Sequence, residues 1–144
     1  RSVSTLIVLM AVLVFSGCSK SDPGGSTEPP PMSTMFDINK ATLVKQGSFT
    51  GNMNYKVSGT VRLYNYEGAN YIYFENFSSN SGPDLKVYIA TSSNASQFVS
   101  LGTLKSTAGT QVYLITGSPD FALYNKVLIW CQQFSVLFVE SVLQ

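Results

Sequence analysis

The chain has 144 residues, a formal net charge of +1 and only 12% charged residues, against about 25% in a typical soluble protein. Nucleic acid is therefore not expected as a partner, because binding its backbone requires concentrated lysine and arginine. The absence of histidine excludes catalytic triads with histidine and histidine-ligated zinc or haem. The sequence contains no dinucleotide-binding or phosphate-binding glycine motif and no CxxC pair, so neither nucleotide binding nor internal dithiol chemistry is expected.

The N-terminal residues predict export. An unbroken apolar run, Leu6–Phe15, follows the positive charge of Arg1. A run of this length is typical of a signal-peptide core of about 7–15 residues and is too short for a spanning helix of about 20. The segment FSGC, which ends at Cys18, resembles the lipobox of bacterial lipoproteins, although a phenylalanine stands where leucine is usual. This resemblance implies cleavage before Cys18 and lipidation of its sulfur, and a cleaved soluble signal is the alternative.

Composition divides the chain into three parts. We expect residues 1–17 to be a lipoprotein signal peptide, and residues 18–36 to be the lipidated cysteine and a flexible tether rich in serine, glycine and proline. Residues 37–144 suffice for one domain with a modest core. The expected location is the bacterial cell envelope, with the lipid in the membrane. Ser19 directly after the anchor favours the outer membrane, by analogy with enteric sorting.

The folded part predicts β-strands. From Tyr55 to Leu63, apolar residues alternate with polar ones, which indicates a strand with one buried and one wet face. The aromatic run Tyr71–Phe77 follows turn residues and is the expected hairpin partner. In Leu85–Ala90, the first, third and fifth residues share one face. Further strands are predicted for Ala41–Lys45, Gln97–Leu104 and Thr110–Thr116.

The last stretch, Lys126–Leu143, is too long and too apolar for one straight strand, so we expect a bend at Gln132 and Gln133 and a central place in the sheet. The loop STAG, with Gly109 free to adopt a positive φ, predicts a hairpin between the two strands beside it. Ser118–Asn125 is expected to form a single helical turn. About eight short strands and almost no helix predict a single antiparallel β-sandwich or barrel-like domain.

Several segments together resemble a known family, the electron-transfer DM13 domain that is often found beside DOMON domains. In chain order they are LVKQGSF near Leu43, VSGTVRLY at Val57, GPDLKVYIA at Gly82, LGTLKSTAGTQVYLI at Leu101 and YNKVLIWCQQFSVLF around Cys131. The resemblance implies a β-sandwich-like module whose cysteine works in redox, either as a naked thiol or by binding haem or another prosthetic group. Cys131 is the matching position. Family members often carry a histidine just before the VSGT segment, where this chain has Asn54, Tyr55 and Lys56.

Cys131 itself supports two interpretations. Free cysteine is among the most buried residue types and packs as a small apolar group. Lys126 falls on the opposite face of the strand by parity, so no neighbour on the same strand favours a thiolate. Against this, an inert thiol is an oxidation liability, and the glutamine pair after Cys131 places it where a buried strand meets a bend. A packing thiol and a redox or cofactor-binding thiol both stay open.

The sequence therefore agrees with two functions. The first is electron transfer or redox, with Cys131 as thiol or cofactor ligand and Trp130 as a possible cofactor contact. It needs a redox partner protein, since one cysteine cannot form an internal disulfide. The alternative is a non-catalytic cell-surface binding or adhesion module with a structurally buried cysteine. Its exposed aromatic faces would then bind carbohydrate or another envelope protein, and the tyrosines available for this are Tyr55, Tyr64, Tyr66, Tyr71, Tyr73 and Tyr88.

Overall fold

The structure of the protein is a computed structural model that describes residues 36–52 and 54–144. Within these residues the chain forms eight strands and no helix. No stretch of the described chain forms a helix of the length and hydropathy needed to cross a membrane. The predicted signal peptide, Cys18 and nearly all of the predicted tether lie outside the described residues. The strands are β1 Thr42–Gly51, β2 Val57–Tyr66, β3 Ala69–Ser79, β4 Leu85–Ala90, β5 Phe98–Thr103, β6 Ala108–Leu114, β7 Lys126–Cys131 and β8 Val136–Val142.

All strand pairs are antiparallel, and the sheet order is β5-β4-β7-β8-β1-β2-β3-β6. β1 belongs to both halves of the sheet: its first part, Thr42–Ser48, pairs with β2, and its last part, Phe49–Gly51, pairs with β8. The sheet curls at this strand, so that its two halves face each other in a nearly closed barrel. The predicted all-β, antiparallel, barrel-like fold is confirmed.

The inner face of the barrel holds the main core. The alternation in β2 is realised, because Val61 and Leu63 are fully buried while Arg62 between them lies on the outer face. Gly59 has φ +117°, and the register between β2 and β3 shifts beside it. Such a bulge turns the strand without burying an unpaired side chain. The larger inner-core side chains include Ile72, Phe74, Phe77, Val87, Ile89, Val127, Ile129 and Val139.

The strand directions divide the loops between two ends of the barrel. The Cys131 end carries the connections 52–56, 80–84, 104–107 and 132–135. The entry end carries the start of the described chain at Phe36, the turn between β2 and β3, and the connections 91–97 and 115–125. A ten-residue strand such as β2 separates the two ends by about 30 Å.

The last stretch is two strands. β7 ends at Cys131, residues 132–135 form a turn, and β8 returns from Val136. The predicted bend at Gln132 and Gln133 is therefore a full reversal. The predicted central position is confirmed, since β7 and β8 are the third and fourth strands of the sheet. Val127, Leu128 and Ile129 are all fully buried, which agrees with two apolar faces.

The hairpin predicted around STAG is wrong. β5 and β6 instead form the two edges of the sheet, and the connection between them spans the open seam. At one end of the connection, Leu104 donates its N–H to the carbonyl of Leu85 at 2.9 Å. At the other end, the carbonyl of Thr107 accepts from the N–H of Ser79 at 2.9 Å. Gly109 does adopt a positive φ, +93°, but inside β6. A short polar loop determines that the chain reverses. It does not determine which strands its two flanking segments pair with.

Candidate functional site

Cys131 is the last residue of β7 and points into the barrel. Its partners in register are Leu85 at the start of β4 and Val136 at the start of β8. The side chain is 2% exposed and belongs to the inner core. Parity places it there, because Val127 and Ile129 of the same strand share its face and are fully buried. The thiol therefore lies at the rim of the core, one residue before the chain leaves the sheet.

The thiol has a hydrogen-bond partner. Its Sγ donates to the carbonyl oxygen of Pro83, with the two atoms 3.0 Å apart. The next residue, Gln132, donates its backbone N–H to the carbonyl of Asp84 at 3.1 Å. The segment Gly82–Asp84 is thus bonded along its backbone to the end of β7 and covers the sulfur. The thiol is the donor in this bond, because a carbonyl oxygen can only accept.

The neighbouring cations are engaged elsewhere. Lys86 Nζ lies 2.9 Å from Asp84 Oδ1 and 3.0 Å from Thr103 Oγ1, on the outer side of the barrel. Lys126, at the far end of β7, lies 4.0 Å from Glu140 Oε2. Both ammonium groups are thus paired with carboxylates. The expectation from parity that Lys126 does not approach Cys131 is confirmed.

Tyr55 and Phe138 close the same end of the barrel. Their rings stack with centroids 3.8 Å apart and planes inclined by 26°. The Phe138 ring also contacts Gly82, where an added Cβ would lie 3.0 Å and 3.1 Å from two ring carbons. Gly82 is therefore required for close packing of the covering segment. Both aromatic residues pack with the inner core that includes Cys131.

Trp130 lies on the opposite face of the sheet. It packs with an outer cluster formed by Tyr88, Ala90 and Leu128. Its ring lies 6.4 Å from that of Tyr88, which in turn stacks on Phe98 at 4.1 Å. The structure does not bring Trp130 and Cys131 together, since consecutive residues of a strand face opposite sides. A cofactor contact by Trp130 stays a prediction, and it concerns a different surface from the one next to the thiol.

The tyrosines considered for sugar binding occupy three places. Tyr55 closes the Cys131 end and Tyr88 lies in the outer cluster. The other four lie on the outer face of β2 and β3 and surround the ring of Phe36. Their ring centroids are 4.9 to 6.1 Å from that of Phe36, and they are Tyr64, Tyr66, Tyr71 and Tyr73. We call this group the tyrosine cage. Phe36, expected at the end of the tether, packs onto the domain.

The surroundings of Cys131 do not fit a haem. A porphyrin bound through sulfur needs an open cavity on one side of that atom, but here the sulfur is enclosed by the core and by Pro83. In the part of the chain that the structure describes, no group of three or more cysteine, aspartate or glutamate side chains is arranged to hold a metal ion. The thiol itself is therefore the group at this site with redox chemistry.

Sequence reasoning identified Cys131 but missed the residues around it. Gly82 and Pro83 were within a quoted motif and Tyr55 stands just before another, yet the three are 48 to 76 positions away along the chain from the cysteine. Their contact depends on strand order, and no local pattern carries that order. The signal that was available is the GPD segment, which was used only for the family resemblance.

Comparisons with known proteins give one match. A family model described as "Electron transfer DM13" matches residues 48–142. That range covers all of β2–β8 and includes Cys131, Pro83 and Tyr55. Neither the curated proteins nor the solved structures contain a match to this chain.

Proposed function

Because the chain belongs to the electron-transfer DM13 family, we propose that it is a lipid-anchored extracytoplasmic electron-transfer domain whose redox group is the thiol of Cys131. The observation that carries this proposal is the position of the sulfur at the rim of the core. The segment Gly82–Asp84, whose Pro83 carbonyl accepts the bond from the thiol, is itself exposed at Pro83 and Asp84. The proposal requires an outward movement of that segment, which would uncover the sulfur.

The chemistry follows from having one thiol. When the covering segment opens, the Pro83 bond is lost and the proton of Cys131 passes to water or to the partner. The thiolate then attacks one sulfur of a partner's disulfide, forming a mixed disulfide and expelling the other sulfur, which takes up a proton. A donor dithiol next attacks the mixed disulfide in two steps, becomes a disulfide and releases both Cys131 and the acceptor as thiols. Two electrons have then passed from the donor dithiol to the acceptor disulfide.

The hydrogen bond between Cys131 and Pro83 has a role while the segment Gly82–Asp84 covers the sulfur. It ties the sulfur to the covering segment and keeps oxidants away, so that the thiol reacts only when a partner opens the segment. This limits over-oxidation to sulfinic and sulfonic acids, from which a thiol is not easily recovered.

The proposed orientation relative to the membrane follows from the two ends of the barrel. With acylated Cys18 in the membrane and the tether joined to the domain near Phe36, the entry end is the one nearest the tether. The Cys131 end is then the end about 30 Å further from it, where a partner protein has access. The proposed compartment is the bacterial cell envelope, with the outer membrane favoured by Ser19.

The test is the alkylation and oxidation kinetics of the full chain, followed by peptide mass spectrometry. We expect Cys131 in the native protein to react with iodoacetamide more slowly than in urea, but at a measurable rate, and to form a mixed disulfide with oxidised glutathione. Cys131→Ser should form no adduct at that position. The same spectra report whether Cys18 is acylated.

The alternative is a non-catalytic cell-surface binding module in which Cys131 only packs. The enclosure of the sulfur favours this alternative. The redox proposal is rejected if Cys131 in the folded protein resists both iodoacetamide and oxidised glutathione completely, and if Cys131→Ala folds and behaves at the cell surface as the unmodified chain does. The binding module is then favoured.

A further inference from the structure

A second surface, on the outer face of β1 and β2, has the composition of a ligand site. An open cleft of about 720 Å³ lies where β1 passes from β2 to β8. This is within the range of about 300–1,000 Å³ that ligand sites occupy. We call it the trough. Its polar lining consists of Gln46, Ser48, Thr50, Thr60, Arg62 and Gln144.

The trough is polar but close to neutral. Arg62 is the charged member of this lining, and its Nη1 lies 2.8 Å from Glu75 Oε2 in an ion pair. The remaining side chains are amides and hydroxyls, which both donate and accept hydrogen bonds. A phosphate or another strong anion would have to displace Glu75 from Arg62 to be neutralised. The lining instead matches a ligand that offers many neutral donors and acceptors.

The walls of the trough are held in place before any ligand arrives. Gln46 and Gln144 exchange two backbone hydrogen bonds, at 3.2 Å and 2.9 Å. Arg62 is fixed by Glu75, and its Nε also donates to Gln46 Oε1 at 3.4 Å. Polar groups that are already oriented lose little conformational entropy on binding.

Aromatic rings continue the surface on one side. The register between the strands places Gln46, Arg62, Tyr73 and Val112 in one row across β1, β2, β3 and β6. The adjacent row contains Tyr64 and Tyr71. The trough thus runs into the tyrosine cage. The ring of Phe36 inside this cage shows that the tyrosines accept a flat apolar face.

We propose that the trough and the neighbouring tyrosines form a binding site for a neutral oligosaccharide. Pyranose rings present hydroxyls at their edges, which suit the amides, hydroxyls and guanidinium of the trough, and C–H groups on their faces, which suit Tyr73. The site is on the outer face of the barrel and shares no residue with the environment of Cys131, so it does not depend on the redox proposal.

The test is isothermal titration of the full chain with maltohexaose, cellohexaose and chitohexaose, and with a heparin hexasaccharide as the charged comparison. The detergent must lack a sugar headgroup, since a maltoside would compete. We expect at least one neutral hexasaccharide to bind with a Kd between about 10 μM and 10 mM, and Gln46→Ala and Thr60→Val each to weaken it about tenfold.

The controls are matched in chemistry. Gln133→Ala, at the Cys131 end, and Thr110→Val, on β6, should bind as the unmodified chain does, and Cys131→Ser should also bind normally. Circular dichroism checks that each variant is folded. No binding of any neutral hexasaccharide at about 10 mM would overturn the proposal, and so would binding of heparin alone. Binding by Gln46→Ala and Thr60→Val as tight as that of the unmodified chain would also overturn it.

Discussion

The ring of Phe138 is held between Tyr55, on which it stacks at 3.8 Å, and Gly82, whose backbone it touches. Gly82 precedes Pro83, the residue whose carbonyl accepts the hydrogen bond from Cys131. Two connections that are distant in sequence, 52–56 and 80–84, thus meet through one aromatic ring. The cover over the thiol is therefore a packed unit, and its stability sets how often the sulfur is exposed.

Loosening this unit should expose the thiol. Tyr55→Ala removes the ring that stacks on Phe138, and aromatic pairs of this kind contribute about 0.5–1.5 kcal/mol beyond their buried area. We expect alkylation of Cys131 in the native protein to become about tenfold faster, which corresponds to about 1.4 kcal/mol. Iodoacetamide labelling with peptide mapping measures this rate. Tyr66→Ala, at the entry end, is the control and should leave the rate of labelling unchanged; equal acceleration in both variants would show that Tyr55 is no part of the cover.

Phe36 should contribute to stability although it precedes the first strand. Its ring contacts the four tyrosines of the tyrosine cage, two of which, Tyr64 and Tyr71, are buried. The turn that follows is fixed by Asp37, whose side chain accepts from the N–H of Asn39 at 3.0 Å. We expect Phe36→Ala to lower the free energy of unfolding by about 1–2 kcal/mol.

Urea unfolding followed by circular dichroism measures that loss. The matched control is Phe134→Ala, because Phe134 is 63% exposed in the turn between β7 and β8 and should change stability by less than about 0.5 kcal/mol. Similar losses in the two variants would mean that the contact between Phe36 and the cage is not stabilising.

Local patterns predicted the strands and their inner faces well. Leu85, Val87 and Ile89 share the buried face as expected, and Val61 and Leu63 do the same in β2. Alternation is a property of a few neighbouring residues, so it survives whatever the strands pair with.

Pairing across the sheet was the part that local patterns could not supply. β5 and β6 follow one another in the chain but lie at opposite edges of the sheet. The thiol of Cys131 meets a carbonyl 48 residues earlier in the chain, and Phe36 was assigned to the tether because the segment before it has no apolar periodicity. Neither contact is encoded in a local pattern, because each depends on which segments the folded sheet brings together. The barrel itself closes where β1 changes partners.

That change of partners should depend on Gly47. A Cβ at this position would overlap the carbonyl oxygen of Val142 and would approach Ser141 Oγ. The backbone of β8 cannot move away without separating from β1, so the steric overlap cannot be relieved at a low cost in free energy. We expect Gly47→Ala to lower the free energy of unfolding by more than about 2 kcal/mol. Ser48→Ala, one residue further along and exposed, is the control for urea unfolding, and a small effect in both variants would show that β1 and β8 are not closely packed there.

Tyr113 should make stability fall at alkaline pH. Its hydroxyl donates to Gln111 Oε1 at 2.6 Å and accepts from the N–H of Lys105 at 2.9 Å. Burial raises the pKa of Tyr113 from 10.0 to about 12, although the hydrogen bond from Lys105 works in the opposite direction. Between these two values the unfolded chain loses the proton while the folded protein keeps it.

The native state then binds more protons than the unfolded state, so the free energy of unfolding decreases as pH rises from 10 to about 12. The stabilisation is complete below pH 10, and two pKa units correspond to a loss of about 2–3 kcal/mol. Urea unfolding at several pH values measures the slope. Tyr113→Phe lowers stability at every pH, because Lys105 and Gln111 lose a partner, but it should make the slope between pH 10 and 12 shallower. An unchanged slope would assign the alkaline loss of stability to other tyrosines.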